Sequence, residues 1–287
     1  MGALLYANEY NYKIVADVIT GKTLSLGLSL AFKTVILKIY RSTILSPLLR
    51  KVDCFFVNSE AALDLVINNL HISKKRIIFI PLGADNELFR FNLQKRKKAR
   101  EYLQLNHQDI VAIYTGKLLP HKGVDLLLYA SAPIIKTYKN FKVLIVGKGS
   151  KEYEKYLKKL IDQLDIGSNV VFHDWVHRTE LPNFFNAADF AVWPAHHSIS
   201  IIEAMSTGLP VIIPKSKWTS HLLKYNNGLT FSQGNIVELH NCIKFMLINS
   251  ELRERMGMRS RELVDKELNW KIIAKKYLRI YDIILGK

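Results

Sequence analysis

The chain has 287 residues, 49% of them hydrophobic and 23% charged, with a mean hydropathy of +0.04. That composition excludes a disordered chain, a collagen-like repeat and a small disulfide scaffold, and the length suits about two domains. Lys and Arg total 41 against 25 Asp and Glu, a formal charge of +16 that favours nucleic acid, an anionic membrane or phosphorylated small molecules as partners.

From the N-terminus, residues 1–19 lack the succession of a secretion signal, because Glu9 and Asp17 stand where its basic and apolar regions belong. The apolar stretch 24–32 is closed by Lys33 and Lys38 and falls short of the ~20 residues of a membrane span. Short runs rich in Val, Ile and Phe predict strands over 13–18, 54–58, 76–80, 110–115, 141–146, 169–173, 190–193, 211–213 and 229–231. Amphipathic segments predict helices over 25–49, 60–70, 124–136, 152–164, 180–186, 199–207 and 237–248. Strand–helix alternation of this kind specifies an α/β chain with doubly wound parallel sheets. The basic stretch 90–100 has no strand character and marks a break. About three strands precede it and about six βα units follow, so the second part reads as a full Rossmann-like domain and the first as half of one. Cys54 and Cys242 lie far apart without a C-x-x-C pair, which suits small buried hydrophobes in a reducing compartment.

Four segments follow predicted strands at their carboxyl ends, where open α/β sheets bind ligands. In Thr115-Gly-Lys-Leu-Leu-Pro-His-Lys-Gly-Val-Asp125, Gly116 allows close backbone approach and Lys117 and Lys122 stand at a helix N-terminus. They can neutralise a diphosphate; the competing reading is a pair of solvated loop lysines. Ile145-Val-Gly-Lys-Gly-Ser150 has the shape of a phosphate loop, and equally of a tight strand-to-helix turn. In the segment 193–211, a polar turn with His196, His197, Ser198, Ile199 and Ser200 opens a helix that carries Glu203. Its N–H groups suit phosphate, and Glu203 either chelates a vicinal diol or answers the helix dipole. In the segment 172–182, the backbone around Val176 can present donors and acceptors to a nucleobase edge, or is simply a loop.

The matching residues run in order: Val57-Asn-Ser-Glu60, Ile80-Pro-Leu-Gly-Ala-Asp85 with Phe89, Gly116-Lys117 with Lys122-Gly123, and Val146-Gly147 with Gly149. Asn169-Val-Val-Phe172, Ala188-Asp189, Glu203-Ala-Met205 with Gly208 and Pro210-Val211, Asn227-Gly228, and Trp270 with Tyr277 and Tyr281 complete the series. In order and spacing they resemble the family-4 glycosyltransferases, which have the GT-B fold of two Rossmann-like domains across a cleft. The resemblance implies a partial N-terminal, acceptor-side domain over 1–95, a nucleotide-sugar-binding domain over 96–268, and a C-terminal helix over 269–287 that crosses back. It implies catalytic roles for Lys117, Lys122 and Glu203, and donor contacts from Gly83, Gly116, Lys148, Val176, His196, His197, Ser198, Ile199 and Ser200, with no metal and no cofactor. Three departures stand out. The family's usual Arg is Lys117, a point charge in place of a planar fork. Ala195 occupies the place of the first motif acid, which leaves recognition of the donor sugar to His196, His197, Ser198 or Ser200. The family's N-terminal Gly-rich loop and His have no counterpart in residues 1–19.

The implied activity is metal-independent transfer of a sugar, with retention, from a nucleotide-diphosphate sugar to a glycan or lipid-linked acceptor. Alternatives are an impaired nucleotide-sugar-binding homologue, one half of a split enzyme completed by a partner chain, and, remotely, a nucleic-acid-binding protein, for which no RNP-type or helix-turn-helix signature is present. The expected location is cytoplasmic and peripheral at the inner membrane face. There Lys95, Arg96, Lys97, Lys98 and Arg100, with Lys33, Lys38, Arg41, Arg50 and Lys51, either contact anionic headgroups or form a solvated surface.

Overall fold

The computed structural model describes residues 12–18, 46–195 and 197–286. In chain order the elements are β1 (Val15–Val18), α1 (Ser46–Arg50), β2 (Cys54–Val57), α2 (Glu60–Asp64), β3 (Ile77–Phe79), α3 (Leu93–Tyr102), β4 (Ile110–Thr115), α4 (Val124–Thr137), β5 (Phe141–Val146) and α5 (Lys151–Leu164). Then come β6 (Val170–His173), α6 (Leu181–Ala187), β7 (Phe190–Val192), α7 (Ser200–Ser206), β8 (Val211–Pro214), β9 (Gly228–Phe231), α8 (Ile236–Ile248), α9 (Ser250–Leu263) and α10 (Trp270–Leu285). Every expected strand is present, displaced by no more than two residues at either end. Most of the helix expected over 25–49, and with it Lys33, Lys38 and Arg41, lies outside the described residues.

The chain divides into two compact units, one of residues 83–272 and the other of residues 1–82 with 273–287. The division falls ahead of the basic stretch. Ala84 N–H donates to the Leu268 carbonyl (2.8 Å) and Trp270 N–H to the Ala84 carbonyl (3.2 Å), which ties the start of the larger unit to its end. Phe89 is fully buried in that unit's core, 6.1 Å from Phe185.

In the smaller unit β1, β2 and β3 form a parallel sheet in that order. Successive residues of β2 face opposite sides. Phe55 and Val57 pack with Ala62 and Val66, whereas Cys54 and Phe56 pack with Ile80 and with Ile273 of α10. Tyr277 sets its ring edge-on to Phe56 at 4.9 Å.

In the larger unit the sheet order is β6-β5-β4-β7-β8-β9, all parallel. The strand order reverses between β4 and β7, the switch point at which doubly wound sheets bind ligands. One residue ties the two strands together there. Asp189 N–H donates to the Val111 carbonyl (2.9 Å), and Val111 N–H donates to Asp189 Oδ2 (2.7 Å).

Residues 90–100, which lack strand character, form most of α3, packed against α6. Asn92 caps it, its side-chain oxygen accepting from Lys95 N–H at 2.9 Å. Two of its five basic residues turn inward. Arg96 reaches Asp189 (2.7 Å) and the Ala188 carbonyl (2.7 Å), and buried Arg100 donates to the Ala187 carbonyl (3.0 Å). The inward face is built from Arg and Ala instead of an apolar stripe, so hydrophobic periodicity does not reveal it. α9 has the same property: small Gly257 and Ser260 lie on its buried side.

Candidate functional site

At the switch point the carboxyl ends of β4, β5 and β7 and the loop after β6 enclose a cavity of about 380 Å³, within the range of small-molecule sites. Thr115, Gly116 and Lys117 continue from β4, and Lys122 follows on a short turn, Pro120–Lys122. Val146 and Gly147 come from β5, Trp175 and Val176 from the loop after β6, and Trp193, Ser198 and Ser200 from the β7 side.

The walls are braced by hydrogen bonds. Trp193 Nε1 donates to the Thr115 carbonyl (3.0 Å) and Tyr114 OH to the Lys117 carbonyl (3.0 Å). Burial pushes the Tyr114 phenol well above its usual pKa, so it remains a donor. Ser198 Oγ and Ser200 Oγ lie 2.7 Å apart. Buried Thr115 Oγ1 has no partner among the described residues and belongs to the cavity wall.

Close approach of two loops explains the glycines after β5. A Cβ on Gly147 would lie 1.9 Å from the Gly116 oxygen, and one on Gly149 2.0 Å from the Leu118 oxygen. Their amides are already engaged: Gly147 N–H donates to the His173 carbonyl (3.0 Å) and Gly149 N–H to Glu154 Oε1 (2.7 Å). The segment is therefore a tight turn between packed loops, with both glycine amides already used inside the chain. The start of α7 is similar, since Ser200 N–H donates to Ser198 Oγ (3.4 Å) and Ile201 N–H to the Ser198 carbonyl (3.2 Å).

Glu203 is only 2% exposed and is not part of the cavity wall. Its Oε1 accepts from Arg178 Nε at 2.7 Å, and the Arg178 guanidinium lies 5.1 Å over the Phe89 ring. Burial raises the Glu203 carboxyl above the usual carboxylate range, while the Arg178 hydrogen bond and charge pull it back. Arg178→Ala removes that pull, so the folded-state pKa rises further above the unfolded one. The unpaired carboxylate then costs about 1–2 kcal/mol at neutral pH, after the screening implied by a half-exposed Arg178 side chain. The cost shrinks as pH falls through the raised pKa toward the ordinary glutamate value, because protonation removes the buried charge. Urea denaturation of both proteins at neutral and acidic pH measures this; a difference independent of pH would show that Glu203 does not carry it.

A family model described as "Glycosyl transferases group 1" matches residues 95–263, more than half of the chain. The chain belongs to that family. Among curated relatives it is 26% identical over 209 residues to a GDP-mannose-dependent alpha-(1-6)-phosphatidylinositol monomannoside mannosyltransferase of Mycobacterium tuberculosis, covering 69% of this chain and 54% of the relative. It is 25% identical over 215 residues to a lipopolysaccharide 1,2-N-acetylglucosaminetransferase of Salmonella typhimurium, covering 70% and 55% respectively. The chain thus spans about half the length of the curated relatives it matches. The crystal structure of Anabaena HepE in complex with UDP shares the GT-B fold, with a TM-score of 0.79 at 18% identity, covering 98% of this chain and 75% of that one.

Set against the expectations from this group 1 resemblance, the cavity gathers Gly116, Lys117, Lys122, Val176, Ser198 and Ser200. Lys148, His197, Ile199, Gly83 and Glu203 are not among its lining residues, and His196 lies outside the described residues. Lys148 is exposed and paired with Asp174 (3.2 Å), His197 stacks on Trp218 (5.2 Å, 16°), and Gly83 is buried beside the Ala84–Asn269 bridge. Sequence reasoning missed Tyr114 in the wall, and it assigned no donor contact to Thr115, Trp175, Leu181 and Trp193, which lie within the segments it singled out. Thr115 and Trp193 are legible in principle, since they end or directly follow buried strands at the switch point.

Proposed function

We propose that the chain moves a sugar from a nucleoside-diphosphate sugar to an acceptor hydroxyl, with retention of configuration and without a metal. Membership of the group 1 family, with Lys117 and Lys122 both on the wall of the switch-point cavity, is the observation that supports this most. The two ammonium groups stabilise charge as it develops on the leaving diphosphate, so the transition state gains more than the ground state. The named relatives act on a phosphatidylinositol mannoside and a lipopolysaccharide, which favours a glycan or lipid-linked acceptor. A cytoplasmic chain held at an anionic membrane face fits such an acceptor. Of the basic residues on α3, Arg96 and Arg100 are held inside the fold and do not serve that contact, whereas exposed Lys97 can.

Calorimetric titration with UDP and GDP is the direct test. Saturable binding of at least one, weakened in Lys117→Ala, is the expected result. Absence of binding by both nucleotides overturns the proposal.

A second reading, a nucleotide-sugar binder without turnover or one that needs a partner chain, is favoured by Ala195 and by the Glu203 carboxylate held by Arg178. Release of the nucleoside diphosphate from a sugar donor, measured with and without acceptor, separates the two.

A further inference from the structure

A second cavity of about 360 Å³ opens on the larger unit between α3 and α6, beside the end of β6. Its α3 wall presents Lys95, Lys98 and Tyr102, whose three- and four-residue spacing places them on one helix face. Three of its lining residues, Tyr102, His173 and Phe184, carry rings. The His173 ring lies 4.5 Å from Phe184 and 5.9 Å from Tyr102, centroid to centroid. Both ring nitrogens of His173 are engaged, Nδ1 with the Asp174 carbonyl (2.9 Å) and Nε2 with Tyr102 OH (3.3 Å), which fixes the ring. The α6 side adds Asn183 and one carboxylate, Glu180.

The contrast along α3 is informative. Arg96 and Arg100 are consumed by Asp189 and by backbone carbonyls. The Nζ atoms of Lys95 and Lys98 bond to no protein acceptor among the described residues, yet both line the cavity. Two ammonium groups beside the rings of Tyr102, His173 and Phe184 suit a ligand with an anionic head and a flat apolar body.

We infer that this cavity is a binding site for a small aromatic phosphate or carboxylate, separate from the switch-point cavity and independent of how that cavity is used. A phosphate takes its charge-assisted hydrogen bonds from Lys95 and Lys98, and the ring packs on Tyr102 and His173. Val176 lines both cavities, so the ligand lies against a residue that the switch-point cavity also uses.

Phenyl phosphate and inorganic phosphate, titrated calorimetrically into the full chain, test this. Phenyl phosphate is expected to bind saturably and more tightly than phosphate. The double variant Lys95→Glu/Lys98→Glu weakens it at least about tenfold, the scale of one lost charge-assisted hydrogen bond. Tyr102→Ala removes the preference for phenyl phosphate over phosphate. Lys95→Gln/Lys98→Gln repeats the first comparison should the charge-reversed protein not fold, and Lys122→Ala serves as the control for the other cavity. Equal affinity in the double variant, loss of binding in Lys122→Ala instead, or no saturable binding to the native chain each overturns the inference.

Discussion

Replacing Asp189 by Ala is expected to destabilise the unit of residues 83–272 by about 2–3 kcal/mol, between the cost of breaking an exposed ion pair and that of breaking a fully buried one, because the Asp189 side chain is 16% exposed. Asp189 answers two guanidinium groups, Arg96 at 2.7 Å and Arg100 at 3.6 Å. Arg100 is 7% exposed, and its Nε already lacks a partner among the described residues. Burial pulls the Arg100 pKa down and Asp189 pushes it back up, so without the carboxylate the buried guanidinium keeps only its carbonyl acceptors, Ala187 and Asn106 among them, and loses its counter-charge. The substitution also strips Val111 N–H of its acceptor between β4 and β7. Asp189→Asn keeps an acceptor for that amide and loses only the charge, so it falls between the native protein and the Ala variant. Urea denaturation followed by circular dichroism measures all three. A loss in Asp189→Ala below about 1 kcal/mol, the level of an exposed ion pair, would show that Arg96 and Arg100 are satisfied by carbonyls alone.

Under the proposed sugar transfer, Lys122→Ala is expected to lower turnover by ~10²-fold or more, the scale of deleting one preorganised donor to a developing anion. Lys122 is half-buried whereas Lys117 is exposed. Water and salt screen the Lys117 charge more strongly, so Lys117→Ala costs less than Lys122→Ala. The measurement is turnover at saturating donor, with the dissociation constant for the free nucleotide taken in parallel. A fall in turnover larger than the fall in nucleotide affinity marks charge stabilisation in the transition state. Equal losses in both would leave Lys122 as a binding group only. Unchanged turnover in both lysine variants would remove the diphosphate from this cavity.

The strands were legible because burial on both faces makes them apolar throughout, as Ile-Val-Ala-Ile-Tyr-Thr in β4 and Val-Leu-Ile-Val in β5 illustrate. α3 was not legible, since its inward contacts are made by guanidinium groups that read as surface charge. Lys117 and Lys122 stood out because a strand end and a turn bring them together over a few residues. Arg178 did not, because its partner Glu203 is 25 positions away and only tertiary packing joins them. Gly147 and Gly149 were visible as a pattern, but their reason is the backbone of a different loop, at Gly116 and Leu118. Local chemistry, in short, survives in the order of residues, whereas a contact between distant segments leaves no periodic trace.

The smaller unit also has a history written into its connectivity. Cys54, Phe56 and Ile80 present one face of its sheet to Ile273 of α10, and Tyr277, Ile280 and Ile284 pack on the same cluster. On the ribosome, that face emerges some two hundred residues before the helix that covers it. The larger unit has its whole sequence available first and can fold in the interval. Until α10 emerges, the early strands carry an apolar surface open to chaperones or to other nascent chains. Loss of the final turns of α10 would therefore show first as poor recovery of soluble protein.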